Sequence, residues 1–517
     1  MMNSQSHGDG NGMMHGNQAQ VAGFLPGQGQ DIASFPEAKP SEVVDVSNGE
    51  TISLNPTIVR KTINGREFAM YGYNGQIPGP LLRVKQGSSF TVDVRNDIDL
   101  PTTVHWHGIR LDNANDGVED VTQKAIAPGG SFRYTVKVPD EGIYWYHTHV
   151  REDLQQPMGL YGNILATPSD TNAYHPVNRE EVIAINDVLL NSSGLPVPFG
   201  NAQADHTLMG RFGNTMLVNG TTDYILNVSK SDVVRFYMTN TANTRTLRID
   251  FGGAKMKLVG ADNGRYEKER FVDNVTLASS ERAIVEVLFD KPGTFSMSHR
   301  TPDETYPLGT VTVAAQAASP SYVKDFGTIT THADVVKDID VFRPFFDSAP
   351  DKTLVLDMST MGGAMMGGHG NGMMGGIPED GIEWEDTTPM NAMSVGSMMQ
   401  WKMIDEVTGA ANKDLVYTVR MGDKLKIRII NKKDSPHPMQ HPIHFHGQRF
   451  LVLSDNGVTN TDLVWKDTVL VPAGHTVDIL LDVSNPGDWM FHCHIAEHLS
   501  NGMMGVLNVL PSTVNRH

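Results

Sequence analysis

The sequence predicts an all-β protein built from three Greek-key β-sandwich modules. Three observations carry that expectation. Val, Ile, Thr and Tyr alternate with polar residues in short runs, as at 90–94, 132–138 and 477–483, and this period-two pattern marks half-buried strands. Gly and Pro punctuate these runs, and no long amphipathic helical pattern interrupts them. A pair of sequence elements then recurs three times in the same order, at the spacing of repeated domains.

The first recurring element reads VKQGSSFTVDVRN at 84–96, VSKSDVVRFYMTN at 228–240 and VRMGDKLKIRIIN at 419–431. Each copy starts with Val, turns in the middle, continues as an alternating strand and closes on Asn. The second element is a Gly turn leading into an aromatic strand: GIYWYHTH at 142–149, PGTFSMSH at 292–299 and PGDWMFHCH at 486–494. Two such elements per copy fit a Greek-key sandwich. Boundaries are expected near 170 and 330, giving modules at 40–170, 171–330 and 331–517. The 517-residue length agrees with about three domains. Residues 1–39 open on a Gly-, Asn-, His- and Met-rich stretch without an apolar core of the kind a signal peptide carries. This segment is expected to be disordered.

Composition excludes several function classes. The net charge of −18 argues against a nucleic-acid partner, because a phosphate backbone rewards clustered Lys and Arg. No run of 18 or more apolar residues occurs, so no membrane-spanning helix is expected. Cys493 is the only cysteine, so no intrachain disulfide can form. A lone cysteine is usually an inert core residue, but the neighbours of this one point elsewhere.

Four short clusters hold ten of the 20 histidines and the one cysteine: HWHG at 105–108, HTH at 147–149, HPIHFHG at 441–447 and HCHIAEHLSNGM at 492–503. Two lie in the first repeat and two in the third. The middle repeat carries Ser298 where its relatives carry His147 and His492. On a strand, residues i and i+2 share a face. Each of the pairs 105/107, 147/149, 444/446 and 492/494 therefore aims two imidazoles at one point. Imidazole suits copper, zinc and iron, and eight exceed what one mononuclear site can use. The same rule turns Cys493 away from His492 and His494, toward a separate metal. With His441, His498 and Met503 it makes the ligand set of a blue-copper electron-transfer site. A structural zinc site would close with four ligands and favour more thiolates.

These four clusters resemble the copper-binding motifs of the three-domain multicopper oxidases, the laccase and cuprous oxidase family, in order and spacing from about residue 40 to 511. The resemblance implies cupredoxin-like domains and four copper ions. It implies a type 1 copper on His441, Cys493 and His498 with Met503 axial. It implies a type 2 copper on His105 and His444, and a type 3 pair on His107, His147, His149, His446, His492 and His494. Dioxygen would be reduced to water with electrons passed through Cys493, and Asp116 would relay protons. In many bacterial relatives a second acid follows the last type 1 histidine; here that position is Leu499, and Glu497 is expected to point elsewhere on an extended segment.

The electron donor is read from the segment 358–403, which holds 11 of the 27 methionines. Thioether sulfur selects Cu(I). Met358, Met361, Met365 and Met366 are the candidate ligands for Cu(I) as substrate in this segment; the resemblance to bacterial cuprous oxidases, which carry a similar insert, implies Met439 as a further one, with His437 in place of the usual Asp, and implies that bulky phenols are impeded. Cuprous oxidation in copper tolerance is therefore the favoured role. General laccase activity on small phenols and aromatic amines is the alternative, and copper sequestration without turnover is a reading from a different class. A two-domain nitrite-reductase relative has no use for the third repeat. A monomer working in the periplasm or outside the cell is what the resemblance implies, as absent disulfides favour a prokaryotic source.

Overall fold

In each of three successive units a pair of β-sheets closes over a buried apolar cluster, and the first unit adds a two-stranded sheet, Pro56–Ile63 with Arg66–Tyr73, to its own. The computed structural model describes residues 23–360 and 378–512. The longest helix among the described residues is Ala333–Asp340, eight residues in the connection between the second and third sheet pairs.

The repeat elements explain why the three units look alike. In Ser89–Arg95, Phe90, Val92 and Val94 are buried while the intervening residues face outward. Gly87 turns the chain just before it at a φ of 84°, which suits a residue without Cβ. The closing Asn of each repeat does the same work in every unit. Asn96 donates to the carbonyls of Leu100 and Ile126, Asn240 to those of Arg245 and Leu277, and Asn431 to those of Met439 and Val471. A buried amide with both N–H groups satisfied pins a loop that would otherwise leave carbonyls unpaired.

Topology also repeats. The strand before each repeat turn pairs in parallel with the last strand of its unit: Leu81–Lys85 with Tyr161–Thr167, Tyr224–Lys230 with Thr305–Ala317, and Val416–Arg420 with Met504–Leu510. In the third unit the five-stranded sheet sets Gly487–Cys493 between Met504–Leu510 and His441–Phe445. In the first, the three-residue strand His105–His107 is the sheet edge, beside Gly142–His147.

Two expectations need correction here. Residues 23–39 are not disordered. Phe24 exchanges backbone hydrogen bonds with Phe199, Gly27 donates to the Asp99 carboxylate, and Ile32–Ser34 forms a short 3-10 turn capped by Asp31. Phe24 and Leu25 pack on the first core, and that apolar contact outweighs the polar composition upstream. Residues 1–22 lie outside the described residues. The segment after His494 is not extended either: Ala496–Ser500 is helical, which turns Glu497 inward to 1% exposure.

Candidate metal centre

Strand register decides which histidines meet. His105 pairs with His147 across the first sheet, and His444 pairs with His492 across the third, while Ile443 pairs with Cys493 on the opposite face. His441, two residues before Ile443, shares the Cys493 face. One sheet therefore presents imidazoles on one side and a thiol with its own histidine on the other.

The eight paired histidines converge, all buried, between the first and third units. Their donor atoms fall into groups whose members lie within 4.8 Å of one another: His105, His107 and His444; His107, His147 and His494; His149, His446 and His492. His446 Nε2 and His492 Nε2 face each other at 2.9 Å. A separate group joins His441, Cys493 and His498, with the Cys493 sulfur 3.5 Å from His441 Nδ1 and 3.7 Å from His498 Nδ1. Met503 is fully buried in the same core, and its carbonyl accepts from the Cys493 N–H. Trp401 lies against both histidines of this separate group, 4.2 Å from the His498 ring and 4.9 Å from that of His441.

In six of the eight the outer ring nitrogen is occupied, so the inner one faces the clusters. His105 Nδ1 bonds the Asp116 carbonyl, His444 Nδ1 the Asp467 carbonyl, His147 Nδ1 the Thr148 carbonyl and His492 Nδ1 the Cys493 carbonyl. His107 is reversed: its Nε2 bonds the Asp467 carboxylate at 3.0 Å, leaving Nδ1 inward. His105 Nε2, His107 Nδ1, His147 Nε2, His149 Nε2, His444 Nε2 and both His494 nitrogens are buried without a hydrogen-bond partner. Buried polar atoms are rarely left so, and ligand histidines typically hold their other nitrogen in this way.

Electrostatics favour neutral imidazole. Burial first, then the charge of neighbouring imidazoles, holds His147, His149, His446, His492 and His494 well below the ordinary histidine range. Burial with His437 nearby takes His441 down to about 3. Burial pushes the Cys493 thiol up, so a thiolate there needs a cation beside it. Neutral imidazoles, one thiol and inward unpaired nitrogens fit copper by donor chemistry.

Three acids stand around the clusters, and the sequence marked one of them. Asp116, anticipated as a proton relay, is 1% exposed and accepts from His446 Nδ1 at 2.9 Å; the following Gly117 makes the turn at a φ of 80°. Asp467 is held well below the carboxylate range, because Arg282 and His107 outweigh the burial that would raise it. Glu152 places one oxygen 3.1 Å from His149 Nδ1, and both its oxygens are buried without hydrogen-bond partners. Asp467 and Glu152 are isolated acids in the sequence with no spacing to mark them.

Three of the six candidate Cu(I) ligands, Met358, His437 and Met439, fall among the described residues. Met358 points inward with Leu354 and Leu356 on the strand Lys352–Thr360 and is a core residue, because the period-two pattern turns it to the apolar face. Met439 is fully buried in that same core. His437 is 6% exposed, with Nε2 3.6 Å from Glu383 Oε2 and neither atom hydrogen-bonded. Met361, Met365 and Met366 lie outside the described residues.

Comparison with known proteins agrees with this geometry. Sequence profiles of the multicopper oxidase family match residues 57–171, 185–319 and 382–513, together most of the chain. The chain is 27% identical to the multicopper oxidase MmcO of Mycobacterium tuberculosis, over 88% of this chain and 86% of that one. It is 24% identical to a copper resistance protein A homolog of Pseudomonas syringae, over 94% of each. Among solved structures, a multicopper oxidase from Campylobacter jejuni described as a metallo-oxidase superposes with a TM-score of 0.70 at 23% identity, covering 93% of this chain and 97% of that one. A multicopper oxidase from Pseudomonas thermotolerans gives 0.68 at 24%, covering 90% of this chain and 100% of that one.

Proposed function

Since this chain belongs to the multicopper oxidase family and is an oxidoreductase with oxygen as acceptor, we propose that it is a cuprous oxidase: it takes single electrons from Cu(I), accepts small phenols and aromatic amines as slower donors, and reduces dioxygen to water. The balance is four Cu(I), one O2 and four protons giving four Cu(II) and two waters.

The observation that carries the oxidase is the two-sided placement of Cys493, and the Met-rich stretch 358–403 favours Cu(I) as its donor. His441 and His498 approach its sulfur, while the flanking His492 and His494 enter two different histidine groups on the far side. Four copper ions fit the donor sets. His441, Cys493, His498 and Met503 hold the type 1 ion, and His105 and His444 the type 2 ion. His107, His147 and His494 take one type 3 ion, and His149, His446 and His492 the other. Copper bound there supplies the one-electron redox chemistry and oxygen reduction that side chains lack.

The chain's own residues do the rest. The backbone from Cys493 to His492 and His494 offers a through-bond route between the two donor sets. Asp116 holds His446 in one tautomer and is placed to pass protons. Burial excludes water from all ten histidines of the sites. His437 sits beside Trp401 and His441 with Glu383 facing its Nε2, and the two supply the polar contact for an arriving cation. Every donor atom comes from one chain, which supports a working monomer. The likeness to a copper resistance protein supports a role in copper tolerance, in the periplasm or outside the cell. We divide the chain near 170 and 330, as the three sheet pairs suggest.

The test compares kcat/KM for Cu(I) and for a phenol before and after deletion of residues 362–376. A selective loss for Cu(I) supports the cuprous-oxidase reading. An unchanged ratio makes the Met-rich stretch a passive cover and returns the enzyme to general laccase chemistry.

A further inference from the structure

The middle unit holds none of the proposed copper ligands, yet one of its side chains reaches the histidine cluster through a single carboxylate. Arg282 opens the strand Arg282–Phe289, is fully buried, and spans all three units. Its Nη1 and Nη2 donate to the two oxygens of Asp467 in the third unit, at 2.7 and 2.5 Å. Its Nε donates to the Ile143 carbonyl in the first unit at 2.9 Å, and Nη1 also donates to the Ser280 carbonyl. Its own backbone N–H donates to Asp262 at 2.8 Å.

Asp467 in turn faces the histidines. Its Oδ1 takes His107 Nε2 at 3.0 Å, and its carbonyl takes His444 Nδ1 at 2.9 Å. Thr468 braces the same contact, with its hydroxyl 3.1 Å from His107 Nε2 and 2.9 Å from Asp467 Oδ1. The close fit leaves no room to shift. A Cβ on Gly108, whose φ is 82°, would lie 2.3 Å from Asp467 Oδ2 and 2.7 Å from Arg282 Nη2. A carboxylate gripped by a two-pronged guanidinium has one orientation. That orientation makes His107 carry its proton on Nε2, and so turns Nδ1 to the cluster, opposite to the arrangement at His105 and His444.

We propose that Arg282 is a positioning residue for the copper cluster. The ligand-free middle unit thereby sets the His107 tautomer and the placement of His444 through Asp467. This rests on the copper assignment given above. The structural alternative is that Arg282 merely glues the units together, as Arg245 does. Arg245 is also buried, bridging Asp187 at 2.9 Å and the Trp384 carbonyl at 3.0 Å, and it makes no hydrogen bond to a cluster histidine or its acid.

The experiment uses copper-loaded full-length protein in four forms: wild type, Arg282→Gln, Arg282→Lys and Arg245→Gln. Copper retained against a graded chelator and the EPR-visible fraction of that copper are measured beside the thermal midpoint. Arg282→Gln is expected to lose cluster copper at about 10- to 100-fold lower chelator. The EPR-visible fraction of the remainder should rise as the coupled pair is disturbed, with the visible band of the cysteine site unchanged. Arg282→Lys keeps the charge without the fork and should fall between; it decides the matter if Arg282→Gln does not fold. Arg245→Gln should lower the thermal midpoint without moving either copper readout. Wild-type copper retention and EPR in both Arg282 variants would overturn the proposal, as would an equal shift in Arg245→Gln. A wild-type protein that takes up no copper would overturn the copper assignment itself, and this inference with it.

Discussion

Replacing Glu497 with Gln should stabilise the protein at alkaline pH and do almost nothing in acid. Glu497 lies on the short helix after the last histidine pair, fully buried against the neighbouring unit. Burial, with Asp153 adding to it, raises its carboxyl from 4.5 to about 8. Asn243 donates to one oxygen at 3.0 Å, and the other oxygen has no partner. Below 4.5 the acid is protonated in both folded and unfolded chains, so folding incurs no cost. Between 4.5 and 8 the unfolded chain ionises first, and stability falls as pH rises. Above 8 the full cost is present, about 5 kcal/mol at roughly 1.4 kcal/mol for each tenfold in proton affinity. Relaxation around a buried charge trims this, so about 2–4 kcal/mol is the working expectation. Gln keeps the acceptor for Asn243 and never ionises. Glu497 also helps to raise the Glu152 carboxyl, so removing its charge eases that neighbour in the same direction. The assay is the thermal midpoint of both proteins freed of copper, whose charge would otherwise favour the carboxylate, from pH 5 to pH 9 at one scan rate. The variant should match wild type near pH 5 and exceed it by about 5–10 °C at pH 9, since a module of this size moves about 2–4 °C per kcal/mol. A difference that stays constant with pH would mean Glu497 is already ionised at pH 5, and the burial argument would fail.

Two further outcomes follow from the cluster's surroundings. Asp116→Asn keeps an acceptor for His446 Nδ1 but cannot take up a proton; kcat should fall by about 10²-fold, with the loss in reoxidation by O2 rather than in reduction by the donor under stopped flow, and a kcat within twofold of wild type would remove Asp116 from proton transfer. Gly117→Ala puts a Cβ 1.9 Å from the Val104 carbonyl at a φ of 80°, so it should cost about 2–4 kcal/mol and weaken copper retention beside His105; an unchanged thermal midpoint would show that this turn can move.

Much of this protein was legible in one dimension because it depends on short-range periodicity. The alternation of strands, the threefold repeat and the His-x-His spacing follow from a backbone that turns each successive side chain to the opposite face. That rule alone separates Cys493 from His492 and His494. The closing Asn of each repeat was visible as a pattern, but its task, donating to two loop carbonyls, needed the folded turn. What tertiary structure decided concerns groups far apart in sequence. Asp467 is an isolated acid until the third unit brings it 3.0 Å from His107, and Arg282 is one arginine among many until the middle unit closes on both. Met358 stands out in the sequence as a soft sulfur in a Met-rich stretch; its burial beside Leu354 and Leu356 shows only in the folded strand. Glu497 seemed to point away until a helix formed after His494 and buried it. The sequence specifies ligands through local geometry; the partners that orient and charge them are chosen by packing between distant segments, where no spacing rule applies.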